Sequence, residues 1–453
     1  MKLTTIWIVV LAVVIAGAML TRANSARAEN VTKVLHRFTG GKDGGVPIGG
    51  LIIDAAGNLY GTTTGGGNLS GCQQQGCGTV FELMPQASGG WKEKVLHNLS
   101  PDGREGAGPY GTLVFDSSGN LYGTASEGGD PKYCSDYAVP GCGVVFELSP
   151  TDNGEWKEKV LYSFKGTTRD GALPDSGLVF DAAGNLYGTT ASGGLGGCQI
   201  GPCGVVFRLT PISGAKWSEK VIHRFRGGSD GGISFATLIL DKAGNLYGTT
   251  ELGATSFCRG QYGCGVVFEL TPVSHGKWKE TILHRFTGGK DGAGPNAGLV
   301  FDAQGNLYGT AGWGGAVRYC DGNGCGVVFE LSPNGNGKWE EKVLHSFTGG
   351  KDGATPVASL IFDAMGNLYG TASGGGNPIC QFLCGVAFRL TPSLGGTWEE
   401  NVLHSFAETD GAYPESSLTL DPAGNLFGTT IWGGYLKDCS FRPGCGVVFE
   451  IMP

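Results

Sequence analysis

Fourteen cysteines, all in close pairs, are the most chemically suggestive residues of the 453-residue chain. The pairs are Cys72 and Cys77, Cys134 and Cys142, Cys198 and Cys203, Cys258 and Cys264, Cys320 and Cys325, Cys380 and Cys384, Cys439 and Cys445. Thiolate pairs can hold zinc or close disulfides. Zinc holds its ligands in a tight geometry, yet three to seven residues separate these partners and no histidine falls between them. A local staple tolerates such variation, so seven disulfides and an oxidising compartment are expected.

Six of the seven histidines (His36, His97, His223, His284, His345, His404) occupy one recurring slot, which Tyr162 fills once. A catalytic or metal role needs one site rather than six equivalent ones, so these read as half-buried histidines bonded between structural units, and no metal or cofactor is expected. Aspartates precede glycine at Asp43, Asp102, Asp170, Asp230, Asp291, Asp352 and Asp410. Calcium would use such carboxylates, but Asx-type turns explain them as well. The tryptophans at 91, 156, 217, 278, 339 and 398 recur in the same way and read as structural. Glu127 and Glu251 do not recur, which leaves open a carboxylate pair for glycoside chemistry. Neither His-Glu-x-x-His nor a P-loop occurs.

These residues must be positioned by a repeat. Gly-Asn-Leu-Tyr-Gly-Thr starts at Gly57, Gly119, Gly184, Gly244, Gly305 and Gly366, and again at Gly424 with Phe427 replacing tyrosine. A motif returning at this near-constant period marks a repeat architecture. Each unit reads as four strands. A short apolar run (Leu51 to Ile53) leads through Asp54-Ala55-Ala56-Gly57-Asn58, which suits a type I turn with a left-handed glycine. Leu59 to Thr63 returns, and Gly61 within it suggests close approach of another backbone. A cysteine-bearing loop leads to Thr79 to Leu83, and a further turn to Trp91 to Leu99, both rich in β formers. Seven four-stranded antiparallel meanders predict an all-β fold, a seven-bladed β-propeller. The chain opens with a fourth-strand sequence (Val31 to Phe38) and closes with a third-strand sequence (Val447 to Ile451), so the N-terminal strand is expected to complete the last blade.

Residues 1–28 read as a secretory signal peptide. Lys2 precedes a 15-residue apolar run (Ile6 to Leu20), and Ala26-Arg27-Ala28 offers a cleavage site. The propeller would then occupy 29–453, in the periplasm or medium, with no membrane span after cleavage and no sorting tail after Pro453. The net charge of −8 and the absence of a basic cluster argue against nucleic acid as a partner.

In a propeller, the loops joining blades and those carrying the cysteines share one face. On that face the residue four past the motif's second glycine varies: Gly65, Glu127, Ser192, Leu252, Trp313, Gly374, Trp432. The nearby loops add Arg318, Tyr319, Asp321, Tyr435, Phe441 and Arg442. Aromatics interspersed with polar groups suit a carbohydrate or a protein ligand. Loop divergence is the simpler alternative. A non-catalytic binding scaffold is the expected function, with a carbohydrate-active hydrolase or lyase, or a structural envelope protein, as alternatives.

The unit Gly177 to Thr190 (Gly-Leu-Val-Phe-Asp-Ala-Ala-Gly-Asn-Leu-Tyr-Gly-Thr-Thr), with Gly204 to Pro211 (Gly-Val-Val-Phe-Arg-Leu-Thr-Pro) and Val221 to Phe225 (Val-Ile-His-Arg-Phe), resembles the GloVer tandem-repeat family of exported bacterial proteins. The resemblance runs through nearly all of the chain. It implies an extracellular repeat protein with no established catalytic residues to carry over. The cysteine pair in every unit looks like an elaboration of the basic repeat.

Overall fold

The structure, a computed structural model, describes residues 30–453 except 71, 73–74, 101, 167–169, 199–200, 215, 255–257, 259–262, 317, 319, 321, 379, 381–383, 435–438 and 440–443. The segment read as a signal peptide lies outside them.

Seven four-stranded antiparallel sheets form the blades of a β-propeller. In blade 1 the strands are A (Ile52–Ile53), B (Leu59–Thr63), C (Thr79–Pro85) and D (Trp91–Asn98), hydrogen-bonded in that order. Blades 2 to 6 repeat the order. In blade 7, strand C (Val447–Met452) pairs with the N-terminal strand Val31–Arg37, which serves as strand D and closes the ring. Blade 3 adds a hairpin that the sequence did not suggest, Gly196–Cys198 with Gly201–Pro202, inside its B–C loop.

The A–B turn is built as its residues dictate. In blade 1 the Asp54 carboxylate accepts from Ala56 N, Asn58 N, Asn58 Nδ2 and the Tyr60 hydroxyl at 2.8–3.1 Å. Gly57 sits at φ +85°, where a side chain would be strained. The Tyr60 ring then meets Phe115 and Trp156 of blade 2 edge-on, at 5.1 and 6.4 Å between centroids. The motif tyrosine and the recurring tryptophan therefore weld adjacent blades.

The second motif glycine works differently from the expectation. A Cβ on Gly61 would lie 2.7 Å from Phe81 Cζ and 2.9 Å from Leu51 Cδ2, so the glycine makes room for side chains rather than another backbone. Phe81 is its cross-strand partner on strand C, and the ring lies over the gap. Its other neighbour is Phe38 from the preceding blade, 5.2 Å away, and both rings are fully buried. Such edge-on pairs contribute about 0.5–1.5 kcal/mol each beyond burial alone. They recur at five more junctions.

All seven cysteine pairs are disulfides, and none of the described cysteines is free. Among the described residues no helix is long and apolar enough to cross a membrane.

Candidate ligand-binding face

The D–A and B–C loops do share one face. Isolated bridges tie them together in most blades, as in Gly45 with Gly65, Ala107 with Glu127, and Ala293 with Trp313. The motif threonine then fixes each blade's axial segment to its neighbour. Thr62 Oγ1 donates to Pro109 O at 3.1 Å, Thr124 to Ser176 O at 2.7 Å, Thr249 to Ala297 O at 2.9 Å, and Thr429 to Pro47 O at 3.2 Å. The result is a ring of short segments around the propeller axis, one per blade.

At the head of each segment stands a residue that differs from blade to blade: Ile48, Tyr110, Asp175, Phe235, Asn296, Val357 and Glu415. All seven line an axial cavity of 580 Å³, with the small residues Gly50, Thr112, Gly177, Thr237 and Gly298 on its wall. Tyr110 is 39% exposed, whereas twelve phenylalanine rings of the blades, Phe81 and Phe146 among them, are fully buried. The sequence reading missed this ring. Its signal was present, because each member but Phe235 follows a proline and the slot changes character seven times, but only closure of the ring brings the slots together.

Electrostatically the ring is divided. Burial pushes the Asp175 carboxyl up to about 7, and the nearby charge of Glu127 adds to the effect while Ser126 opposes it. Asp175 Oδ1 is buried without a hydrogen-bond partner. Burial likewise raises Glu415 to about 7. The Tyr110 hydroxyl is raised by burial and by the charges of Asp175 and Glu127. Asp175, Glu127 and Tyr110 therefore sense one another across one mouth.

The expected site residues fall into two pairs rather than one platform. Glu251 and Trp313 line a cavity of 210 Å³ beside the Cys258–Cys264 disulfide. The Trp313 ring lies on Gly294, where an added Cβ would come within 2.4 Å of it. Burial raises the Glu251 carboxyl, and Asn296 of the axial ring opposes the rise. Glu127 and Trp432 line a groove of 460 Å³ that reaches Tyr110. The Trp432 ring packs at 4.5 Å against Tyr413, and Glu127 accepts from Val139 N at 2.9 Å. Each tryptophan also packs on its blade's apolar core, so only part of each ring faces its cavity. Arg318 is exposed and lines none of these cavities. Tyr319, Asp321, Tyr435, Phe441 and Arg442 lie outside the described residues.

Glu127 and Glu251 line separate cavities. The carboxylates that share the axial cavity with Glu127 are Asp175 and Glu415. The string Gly227-Gly228-Ser229-Asp230-Gly231 has the spacing of a hydrolase nucleophile elbow. It lies in a D–A loop with no following helix, so it lacks the strand-to-helix turn that exposes such a serine. Among the described residues one trio has metal-ligand spacing, His223, Asp230 and Glu280, and it sits between blades 3 and 4.

The model of the Gloeobacter/Verrucomicrobia repeat matches residues 19–198, 75–258 and 253–453. No curated protein matches the chain. Among solved structures, a fungal alcohol oxidase of the AA5 family in complex with copper is 11% identical, with a TM-score of 0.54 over 93% of this chain and 76% of that one. An ancestral GH74 enzyme is 10% identical, with a TM-score of 0.50 over 82% of this chain and 46% of that one. At these identities the likeness is one of fold alone.

Proposed function

We propose that this chain, which belongs to the Gloeobacter/Verrucomicrobia repeat family, is an exported binding scaffold that takes an oligosaccharide at the axial mouth of its disulfide-bearing face. One observation carries the reading. The positions at which seven otherwise similar copies disagree converge on one mouth, where Tyr110, Asp175, Asn296 and Glu415 stand in a single cavity. Beside it lie two aromatic–carboxylate pairs, Trp313 with Glu251 and Trp432 with Glu127. Sugars present hydroxyls that carboxylates and amides bind, and C–H faces that rings cover. Concave sites with a few convergent polar groups are the usual form of small-ligand recognition. Export accords with the seven disulfides and the N-terminal apolar run.

A catalytic version rests on Asp175. A carboxyl raised to about 7 beside a second carboxylate is the arrangement by which glycosidases separate an acid from a base or nucleophile. A glycan array followed by calorimetry and product analysis separates the two. Binding without turnover supports the scaffold. Turnover that Asp175→Asn abolishes supports the hydrolase. Absence of binding to any glycan refutes both.

A further inference from the structure

At six of the seven junctions between strands D, a strand D histidine or tyrosine meets an acid of its own D–A loop, and the junction between blades 3 and 4 departs from this. At most junctions the strand D histidine approaches the acid of its own D–A loop: His36 to Asp43 at 3.4 Å, His284 to Asp291 at 3.3 Å, His345 to Asp352 at 3.6 Å and His404 to Asp410 at 3.1 Å. At three of these a threonine hydroxyl (Thr39, Thr287, Thr348) also donates to the aspartate. Between blades 3 and 4 the threonine slot holds Arg226, whose backbone N alone donates to Asp230 Oδ1, at 3.3 Å. The other oxygen, Oδ2, is left without a hydrogen bond. His223 Nε2 turns instead to Glu280 Oε1 of the next blade, at 3.3 Å.

The three atoms, His223 Nε2, Asp230 Oδ2 and Glu280 Oε1, lie within 4.8 Å of one another. All three atoms are shielded from solvent, and among the described residues none has a hydrogen-bond partner. The same glutamate oxygen is unsatisfied at other junctions, as at Glu93 and Glu219, and so is Nε2 of His36 and His345. What sets this point apart is a third unsatisfied atom, Asp230 Oδ2, and the convergence of all three calls for a ligand that they can share. We propose that His223, Asp230 and Glu280 form a three-ligand site for a divalent transition-metal cation of the zinc(II) class, clamping blade 3 to blade 4.

The donor set suits such an ion. One imidazole with two carboxylates is borderline in softness, between the all-oxygen sets of calcium and the thiolate sets of structural zinc. Ligand distances of about 2.0–2.2 Å place neighbouring donors of a tetrahedral ion about 3.3–3.5 Å apart. The His223–Glu280 edge already has that length, and only Asp230 has to close in. Arg224, Arg226 and Arg285 also face the trio, and the two carboxylates offset two of their three charges. The six equivalent histidine slots argued against a metal role, but this slot is not equivalent to the others.

The test dialyses the full disulfide-bonded protein against zinc(II), counts bound metal by mass spectrometry, and follows cobalt(II) by its visible absorption. One equivalent is expected, with the melting temperature raised on zinc addition. Both effects should vanish in His223→Ala and in the near-isosteric Glu280→Gln, and persist in His284→Ala at an ordinary junction. No retained metal, calcium(II) binding in preference to zinc(II), or one equivalent that survives both His223→Ala and Glu280→Gln would overturn the proposal.

Discussion

Glu219→Gln probes the blade junctions through their proton balance. Glu219 lies on strand D of blade 3, facing Asp170 of the loop before it, where Tyr162 replaces histidine and donates to Asp170 at 3.0 Å. One Glu219 carboxylate oxygen is buried without a partner. Burial, reinforced by the charge of Asp170 and opposed by Arg224 and Lys165, holds the carboxyl up to about 8 from its ordinary 4.5. The folded protein therefore keeps a proton that the unfolded chain releases. The stability this contributes is complete below pH 4.5 and is lost as pH rises toward 8. The limiting slope is about 1.4 kcal/mol per pH unit for one proton. Glutamine mimics the neutral form at every pH. Between pH 5 and 7 the wild type should therefore lose up to about 2.7 kcal/mol relative to the variant. A chain of this length unfolds with an entropy of about 0.9 kcal/mol/K, at about 2.1 cal/mol/K per residue, so the melting temperatures should diverge by up to about 3 °C. Scanning calorimetry at pH 5, 6 and 7 and constant ionic strength measures this. A difference that stays flat or shrinks as pH rises would refute the reasoning.

The two motif glycines should fail for different reasons. Gly188→Ala places a Cβ 2.6 Å from Phe207 Cζ in a packed core and should cost about 1–3 kcal/mol. Gly184→Ala, at φ +80° with open space around it, should cost about 1–2 kcal/mol through backbone strain alone. Denaturant titrations of both separate clash from strain, because trimming Phe207 to leucine should ease the first and leave the second unchanged. The disulfides predict no alkylation of the unreduced protein and 14 alkylated cysteines after reduction in denaturant. Each short loop contributes on the order of 2 kcal/mol, about 14 kcal/mol for all seven, so with the unfolding entropy above reduction should lower the melting temperature by roughly 15 °C. If residues 1–28 are removed on export, N-terminal sequencing of the secreted protein will begin at Glu29.

The parts of the fold legible in the sequence are those fixed by contacts within one unit. Asp54, Gly57 and Asn58 specify the A–B turn over five residues, and the observed bonds are those their side chains imply. Ring closure was legible because the terminal segments match strands C and D by type. Gly61 was misread because its role depends on Phe81, its partner on strand C, and on Leu51, which no local pattern brings to it. The axial ring escaped notice because its members are spread at repeat-length intervals and meet only at the propeller axis. Trp313 and Trp432 were found as departures from the repeat. Their assignment to separate cavities, each with its own glutamate, depends on blade geometry that the sequence does not state.

The central claim is that function sits at the axial mouth and not on the opposite face of A–B and C–D turns. It is tested most directly by isothermal titration of a glycan identified on the array into the wild type, Trp432→Ala, Asp175→Asn and Met365→Ala. Met365 is 80% exposed on an A–B turn and serves as the control. The account predicts affinity at least about tenfold weaker in Trp432→Ala and in Asp175→Asn, a loss of about 1.4 kcal/mol or more, with Met365→Ala unchanged. Undiminished binding in both axial variants, or binding lost in Met365→Ala, would contradict it.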